Sequence, residues 1–199
     1  ARNADSLEAP EPVGARAAER TVAKLGARKV ATEKVPVIFE APIAGGFIGH
    51  LVSAVSGGNL YRRASFLLDS AGKTIFPEHV TITEQPHLAR GLGSAPFDGE
   101  GAQTQERKLI DRGVLTGYVL SSYSARRLNL APTGNAGGVH NLSVSSDAGD
   151  FTSLVRQMGR GLVVTSLMGF GVNMVTGDYS RGASGFWVEN GEIAFPVEE

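Results

Sequence analysis

The chain has 199 residues, of which 42% are apolar and 20% charged, which is the usage of an ordinary folded domain and not of a disordered segment. Its formal net charge is −1, from 19 basic and 20 acidic residues, so it has no excess of positive charge with which to hold a nucleic-acid backbone. The lack of cysteine excludes disulfides and thiolate metal ligands, and it fits a reducing cytoplasm.

The first 28 residues divide by composition into two segments. Residues 1–13 are polar and contain Pro10 and Pro12, which predicts a linker or the end of an interdomain connection. Residues 14–28 carry apolar side chains at helical spacing, with arginine and lysine on another face. This pattern predicts an amphipathic helix whose basic face is solvated.

A strand and a second helix are predicted next. The segment VPVIFEA at 35–41 is rich in β-branched residues and predicts a buried strand. Pro42 suits the first turn of a helix that runs to about Ser56, with Gly57 and Gly58 as its C-terminal cap. An apolar stripe with a spacing of four residues predicts the side of this helix that packs in the core, namely Phe47, Leu51 and Val55.

His50 lies beside that stripe, in a stretch that looks like a metal-binding helix. A zinc peptidase helix needs two ligands on one face, and usually a glutamate beside the first histidine as general base. Here Leu51 follows the histidine, and the positions of a second ligand hold Ser53, Ala54 and Val55. Apolar side chains neither bind a divalent ion nor accept a proton from water. The hypothesis is therefore a decayed metal helix that is kept for its shape.

The middle of the chain combines strands, turns and one long loop. A turn is predicted at 69–72, a strand at 80–85, and a hairpin over 108–122 that turns at 111–113. Between them, residues 86–107 form a polar, glycine-rich stretch. Loops of this length are uncommon in compact domains and often carry function, so this loop is of interest.

The C-terminal part is predicted to contain two short helices, a loop at 132–138 and several strands. One helix spans 122–130 with Ser121 or Ser122 as its cap, and the other spans 150–159. The strand-like segments are 140–146, 161–170, 171–180, 183–191 and 192–199. Asn-Gly at 190–191 predicts a hairpin turn between the last two segments.

The order of these elements predicts the fold class. About seven to nine strands and three or four helices follow one another without regular alternation, which favours an α+β fold with a mainly antiparallel sheet and a few packed helices. No apolar run approaches the roughly 18 residues that a membrane-spanning helix needs, so no membrane segment is expected.

A metal site that includes His50 would need partners of the right type, and the other three histidines are candidates. His79, His87 and His140 lie far from it in the sequence, so the fold would have to bring them together. A packed or hydrogen-bonded His50 is the expected arrangement. Near the long loop, four carboxylates would either form a cluster or, as we expect, remain solvated. They are Glu84, Asp98, Glu100 and Glu106.

Two arginine-containing motifs also allow a functional and a structural interpretation. Asp178 and Arg181 in GDYSRG would contact a substrate or partner, or would form a tight turn in which the carboxylate accepts backbone N–H bonds and pairs with the arginine. The second, structural interpretation is favoured. Arg62 and Arg63, after Tyr61, are expected to be surface residues and not a recognition site.

Four longer segments carry a resemblance to a known family. They are SGGNLYRRASFLLDSAGKTIFPEHVTITEQPHLARGLGSAPFDGEG at 56–101, LTGYVLSSYSARRLNL at 115–130, TGNAGGVHN at 133–141 and GLVVTSLMGFGVNMVTGDYSRGASGFWVENGEIAFPVEE at 161–199. Together with the helix of His50, they resemble the TldD/PmbA family, whose members are also described as modulators of DNA gyrase and as microcin-processing peptidases. The single histidine matches the PmbA, or TldE, branch, whereas the TldD-like branch carries HExxxH there.

The resemblance implies a domain assignment. Residues 14–199 would be a PmbA/TldE-like C-terminal domain that is incomplete at its C-terminus, following a linker at 1–13. In the TldD-like branch the missing tail supplies a cysteine ligand. Relatives are expected to have TGHAGG where this chain has Asn135 in place of the histidine, which removes a potential ligand.

The resemblance also implies a function. The chain would be the non-catalytic subunit of a TldD/TldE-type metallopeptidase complex, which processes unfolded or modified peptides in the cytoplasm. Its partners would be a TldD-type subunit, in a dimer, and the peptide substrate, with no direct nucleic acid and no membrane. Zinc would belong to the TldD-type partner, and this chain would hold no cofactor. An edge strand would hold an extended peptide by backbone pairing.

No catalytic residue and no metal ligand is therefore assigned, and His50 is a vestigial position. The residues expected to contact peptide or partner are Asn135, His140, Asp178, Tyr179 and Arg181. Two other functions stay open at this point. One is an independent metallopeptidase that uses His50, and the other is a non-proteolytic modulator of gyrase or of an antitoxin.

Overall fold

The computed structural model of the chain describes residues 7–146 and 149–198. Within these ranges it contains five helices and eight strands, in two mostly antiparallel sheets, which confirms the α+β class. The helices are α1 (Pro10–Val22), α2 (Ala41–Ala54), α3 (Gly57–Tyr61), α4 (Ser122–Leu128) and α5 (Phe151–Met158). The strands are β1 (Val37–Phe39), β2 (Ile82–Gln85), β3 (Arg107–Asp111), β4 (Val114–Leu115), β5 (Asn141–Val144), β6 (Gly161–Met168), β7 (Gly182–Glu189) and β8 (Glu192–Val197).

The described residues form two compact units. The first unit contains residues 49–146 and 173–178, and the second contains residues 7–48, 149–172 and 179–198. None of the helices in these ranges combines the length and the apolar character that crossing a bilayer requires.

The first unit is built on an antiparallel sheet with the strand order β4-β3-β2-β5. The predicted hairpin joins β3 to β4 through Arg112 and Gly113, whose φ angles of 45° and 81° match the left-handed backbone of a tight hairpin turn. Along β2 every second residue faces inward, so Ile82 and Glu84 are buried. The sheet therefore places a carboxylate on its core face.

The second unit is built on a sheet with the strand order β1-β6-β7-β8, in which only β1 pairs in parallel. The predicted Asn-Gly turn joins β7 to β8, with positive φ at both residues. One face of this sheet and α5 form a core of Val155, Val163 and Val188, with Ile38, Met158 and Phe186 packed against it. Trp187 follows Phe186 on β7 and pairs in register with Leu162 of β6 and Phe195 of β8.

The first helix and one predicted strand differ from the sequence prediction. The first helix begins at Pro10, inside the segment predicted as a linker, because a proline is tolerated at the first position of a helix. It ends at Val22 and has no buried residue. Residues 171–180 were predicted as a strand but form turns, since Asn173 and Gly177 close a short bend.

The two glycines after α2 also have a different role from the predicted cap. Gly57 begins α3, and a Cβ at this position would lie 2.3 Å from Ser124 Oγ and 2.9 Å from Leu120 Cδ2. Its N–H donates to the Val119 carbonyl at 2.8 Å. Gly57 therefore allows α3 to approach α4 closely.

We expect the substitution Gly57→Ala to destabilise the protein by about 1–3 kcal/mol, because a methyl group has no room between the two helices. The matched control is Gly58→Ala, where a Cβ would contact only Arg62, at 3.4 Å. Urea unfolding of both variants measures the difference. Equal stabilities would contradict the tight approach.

Candidate functional site

His50 lies in the second half of α2, and this helix provides no second metal ligand beside it. Leu51 and Val55 of the predicted stripe are buried, as is Ala54, which stands one helical turn after the histidine. His50 itself is half-buried. In the described part of the chain, no three residues among histidine, cysteine, aspartate and glutamate are grouped so that they could hold a metal ion. The donor set on this helix therefore does not fit zinc.

The other three histidines have separate surroundings. The carbonyl of His79 accepts a hydrogen bond from Ser145 Oγ at 3.1 Å, just before β2. His87 Nε2 lies 3.0 Å from Thr104 Oγ1, within the long loop. His140 Nδ1 lies 2.9 Å from Glu84 Oε1.

Glu84 is the centre of a buried polar cluster in the first unit. Its side chain is only 1% exposed, and Arg107 Nε donates to its Oε2 at 2.8 Å. Its Oε1 accepts from Asn135 Nδ2 at 2.7 Å and from the backbone N–H of His140 at 2.8 Å. We refer to Glu84, Arg107, Asn135 and His140 as the Glu84 cluster.

Further hydrogen bonds from the Glu84 cluster tie a glycine-rich loop to the sheet. Arg107 donates through Nη1 to the Tyr118 carbonyl at 2.8 Å and through Nη2 to Asn135 Oδ1 at 2.9 Å. Thr133 Oγ1 donates to the same Asn135 oxygen at 2.7 Å. The loop at 132–138 thus holds its asparagine against β2 and β3, and the polar atoms of Asn135 are engaged inside the unit.

The expectation that the four carboxylates near the long loop are solvated is wrong for two of them. Glu84 is buried because the alternation of β2 turns it inward. Asp98 is also buried, and its carboxylate is compensated there by three backbone N–H groups, from Glu100, Ala102 and Ala136, each at 2.9 Å. The other two, Glu100 and Glu106, are exposed.

These contacts shift both acid pKa values in the same direction. Burial by itself raises the pKa of Glu84, but the hydrogen bonds from Arg107 and His140 and the positive charge of Arg107 together lower it below its usual value. The backbone N–H of Ala136 makes the largest contribution to lowering the pKa of Asp98. Both carboxylates are therefore held in their charged form.

Stability is expected to fall in acid, because both groups bind protons more weakly in the folded state than in the unfolded state. The two carboxylates contribute fully to the stability above their pKa values in the unfolded state, which are near 4. This contribution is lost as the pH falls through their lowered pKa values in the folded state. Urea unfolding at pH 6, 4 and 3 measures the loss. The variant Glu84→Gln should show a shallower dependence, and a dependence equal to that of the unchanged protein would contradict the prediction.

The remaining predicted residues lie in or beside the turn at 173–181. In the first unit, Asp178 Oδ2 accepts from Thr176 Oγ1 at 2.6 Å, while Asn173 Oδ1 accepts the backbone N–H of Val175 at 3.0 Å. The turn is thus organised by Asn173, which the sequence interpretation did not single out. In the second unit, Tyr179 packs its ring 5.2 Å from that of Phe47.

The five predicted contact residues are distributed over the two units. Asn135 and His140 meet in the Glu84 cluster, and Asp178 belongs to the turn of the same unit. Arg181, in the second unit, directs its Nε to the Met168 carbonyl at 3.4 Å. Sequence reasoning missed the part played by Glu84 and Arg107, although the inward position of Glu84 follows from the alternation in VTITEQ.

Known proteins resemble this chain in sequence and in structure. The profile of the PmbA/TldA metallopeptidase C-terminal domain matches residues 32–199. The metalloprotease PmbA of Escherichia coli O157:H7 is 54% identical over 198 residues, and a PmbA homologue of Haemophilus influenzae is 52% identical over 199. Both matches cover 100% of this chain but 44% of the relative, so the chain spans less than half the length of these proteins.

Two solved structures have the same fold. A proposed modulator of a DNA gyrase from Thermotoga maritima superimposes with a TM-score of 0.90 at 33% identity, over 99% of this chain and 47% of that chain. TldE from Thermococcus kodakarensis superimposes with a TM-score of 0.77 at 25% identity, over 94% of this chain and 45% of that chain.

Proposed function

This chain belongs to the PmbA/TldD family of metallopeptidases, and we propose that it is part of the non-catalytic subunit of a TldD/TldE-type complex. The complex processes unfolded or modified peptides in the cytoplasm. The partner is a TldD-type subunit, which forms a dimer with this protein and carries the zinc ion. The similarity to TldE from Thermococcus kodakarensis supports this assignment.

The observation that carries the proposal is the donor set of α2. His50 is followed by Leu51, so no general base stands beside the histidine, and the position one turn further on is the buried Ala54. A peptidase needs both a second ligand on this face and a base for the attacking water. This helix supplies neither, which supports a structural role for it beside a catalytic partner.

The peptide is assigned to the side of β5 that faces away from β2, since β5 is an edge strand of the first sheet in the part of the chain that the structure describes. Ser145 N donates to the Thr81 carbonyl at 2.8 Å, so the alternation of an antiparallel pair turns the backbone groups of Leu142 and Val144 away from β2. An extended peptide would pair with these groups, and such pairing makes few demands on peptide sequence.

Zinc content tests the non-catalytic role. The full-length protein, expressed without its partner, is expected to contain less than about 0.1 zinc ion per chain, because α2 lacks a ligand pair. About one zinc ion per chain, lost in the variant His50→Ala, would instead indicate an independent metallopeptidase. A TldD-type protein purified in the same way is the positive control.

Partner capture tests the complex itself. Full-length protein immobilised from its own cells is expected to recover a TldD-type chain, and mixing the two purified proteins should yield peptide cleavage that neither gives alone. Recovery of gyrase without a TldD-type chain would favour the non-proteolytic modulator and would overturn the proposal.

Backbone pairing at β5 has its own test. In the variant Val144→Pro the strand loses an outward N–H, so peptide binding should weaken while the fold is retained, since proline is tolerated on an edge strand. The control Val144→Thr changes the side chain and keeps the N–H. Equal loss in both variants would mean that a side-chain pocket, and not the backbone, holds the peptide.

A further inference from the structure

We propose that a basic and aromatic surface on α3 and α4 binds an acidic stretch of the peptide that the complex processes. The surface comprises Tyr61 and Tyr123 with Arg62 and Arg127, and we call it the arginine surface. Their neighbours in the sequence, Arg63 and Arg126, are exposed as well, so the structure leaves four arginines exposed on these two segments. The assignment of the acidic stretch to the substrate rests on the proposed function.

Tyr61 holds two of the arginines in place. The Cζ atom of Arg62 lies 5.2 Å from the centroid of the Tyr61 ring, and the Cζ atom of Arg127 lies 5.9 Å from it. Both distances are within the range of cation–π attraction, and the two guanidinium carbons are at most about 11 Å apart. Tyr123 packs edge-on against Tyr61, with centroids 5.6 Å apart. The two aromatic rings thus form a base for a pair of cations.

Neutral hydrogen bonds position Arg62 further. Its Nη2 donates to Asn59 Oδ1 at 3.2 Å and its Nη1 to the Tyr61 hydroxyl at 3.1 Å. Asn59 is itself bonded to the Ser53 carbonyl at the end of α2, at 2.8 Å. The close approach at Gly57 sets the spacing of α3 and α4. The guanidinium group of Arg62 is therefore held in position before a ligand binds, and no carboxylate takes part in holding it.

The charge of the arginine surface is not compensated within the described chain. Other arginines pair with carboxylates, as in the contacts of Arg16, Arg20 and Arg160 with glutamates, but these four arginines form no such pair among the described residues. The two segments that carry the surface, 41–68 and 112–146, contain no aspartate or glutamate.

One carboxylate does lie near the start of α4. Glu100 Oε2 accepts the N–H of Ser122 at 2.8 Å, whereas Arg126 and Arg127 lie in the last turn of that helix. The glutamate is therefore engaged at the opposite end of the helix from the two arginines. The positive charge of the arginine surface therefore remains available to a ligand.

The spacing of the cations fits carboxylates of a peptide. Acidic side chains two residues apart in an extended chain are separated by roughly 6.6 Å, and those one helical turn apart by roughly 5–6 Å. Either spacing lies within the reach of Arg62 and Arg127. Nucleic acid is disfavoured because its binding depends on many phosphate contacts, and this chain has a net charge of −1.

Binding of a labelled 12-residue peptide of alternating glutamate and serine tests the proposal. Fluorescence anisotropy with the full-length protein at low salt is expected to show binding that weakens as salt is added. The double variant Arg62→Gln/Arg127→Gln should weaken it roughly 2- to 30-fold, from the typical strength of exposed ion pairs. Tyr61→Leu keeps every charge but frees the two guanidinium groups, and should weaken it roughly 2- to 10-fold.

The matched control is Arg90→Gln/Arg112→Gln, which removes the same charge from exposed positions elsewhere in the first unit. Equal weakening by both double variants would show that binding depends on net charge alone, and would overturn the proposal. Tighter binding of a 12-nucleotide single strand than of the acidic peptide would also overturn it. Binding of a lysine–serine peptide of the same length should be absent.

Cleavage by the assembled complex identifies the source of the acidic stretch. If it belongs to the substrate, Arg62→Gln/Arg127→Gln should raise KM for an acidic peptide and leave KM for a neutral peptide unchanged. Loss of assembly with the TldD-type chain would mean that the partner supplies it, and would overturn the substrate assignment. The anisotropy measurement needs neither zinc nor cleavage. It therefore tests peptide binding at the arginine surface even if the proposed function in a TldD/TldE-type complex is wrong.

Discussion

The substitution Arg107→Leu is expected to destabilise the protein by about 3–5 kcal/mol. It removes the cation that compensates Glu84, a carboxylate that is 1% exposed, and removing one partner of a buried ion pair leaves an uncompensated charge in the core. It also leaves the Tyr118 carbonyl without its donor from Arg107. Urea unfolding at pH 7 measures the effect.

The control for Arg107→Leu is the next residue on the same strand. Lys108 pairs with Asp111 at 2.9 Å, but the two side chains are 54% and 41% exposed, so Lys108→Leu should change stability by at most about 1 kcal/mol. Adding Glu84→Gln to Arg107→Leu should recover part of the loss, since the buried charge is then gone. A loss below about 1 kcal/mol for Arg107→Leu alone would show that Glu84 is solvated.

The substitution Trp187→Ala is expected to cost about 3–5 kcal/mol, from the cavity left by a large buried ring. Trp187 is 3% exposed and stacks against Phe195, with ring centroids 6.5 Å apart. The Cζ atom of Arg160 also lies over the Trp187 ring, 5.0 Å from its centroid. Thermal or urea unfolding, followed by circular dichroism because the tryptophan itself is lost, measures the effect.

Phe170→Ala provides the comparison, because Phe170 is an aromatic residue whose side chain is fully exposed. Its removal should change stability by no more than about 0.5 kcal/mol. Similar losses for Trp187→Ala and Phe170→Ala would contradict the packing of the second sheet.

The elements that sequence reasoning predicted best are those with a local physical cause. Ser121 caps α4 and accepts from the Ser124 N–H, and Asp150 caps α5 and accepts from the Ser153 N–H, as their side chains suggest. Asn190 and Gly191 take the left-handed backbone that a two-residue hairpin turn needs. In each case the cause lies within a few residues of the element.

The predictions that failed depended on contacts between distant segments. Gly57 suggested a helix cap, but its lack of a side chain serves the approach of α3 to α4, more than 60 residues further along the chain. Residues 171–180 have β-branched and aromatic residues typical of a strand, yet they form turns organised by Asn173. Composition alone does not distinguish these outcomes.

The family, the α+β class and the missing ligand pair around His50 could be inferred from the sequence, because each depends on residue types and on their order along the chain. The fold was needed to pair the buried Glu84 with Arg107 and Asn135, which lie 23 and 51 residues away. It also decided that Arg62 and Arg127 share the ring of Tyr61. The physical reason is that burial and pairing of charges arise from segments that meet only in the folded chain, and local sequence does not specify which segments meet.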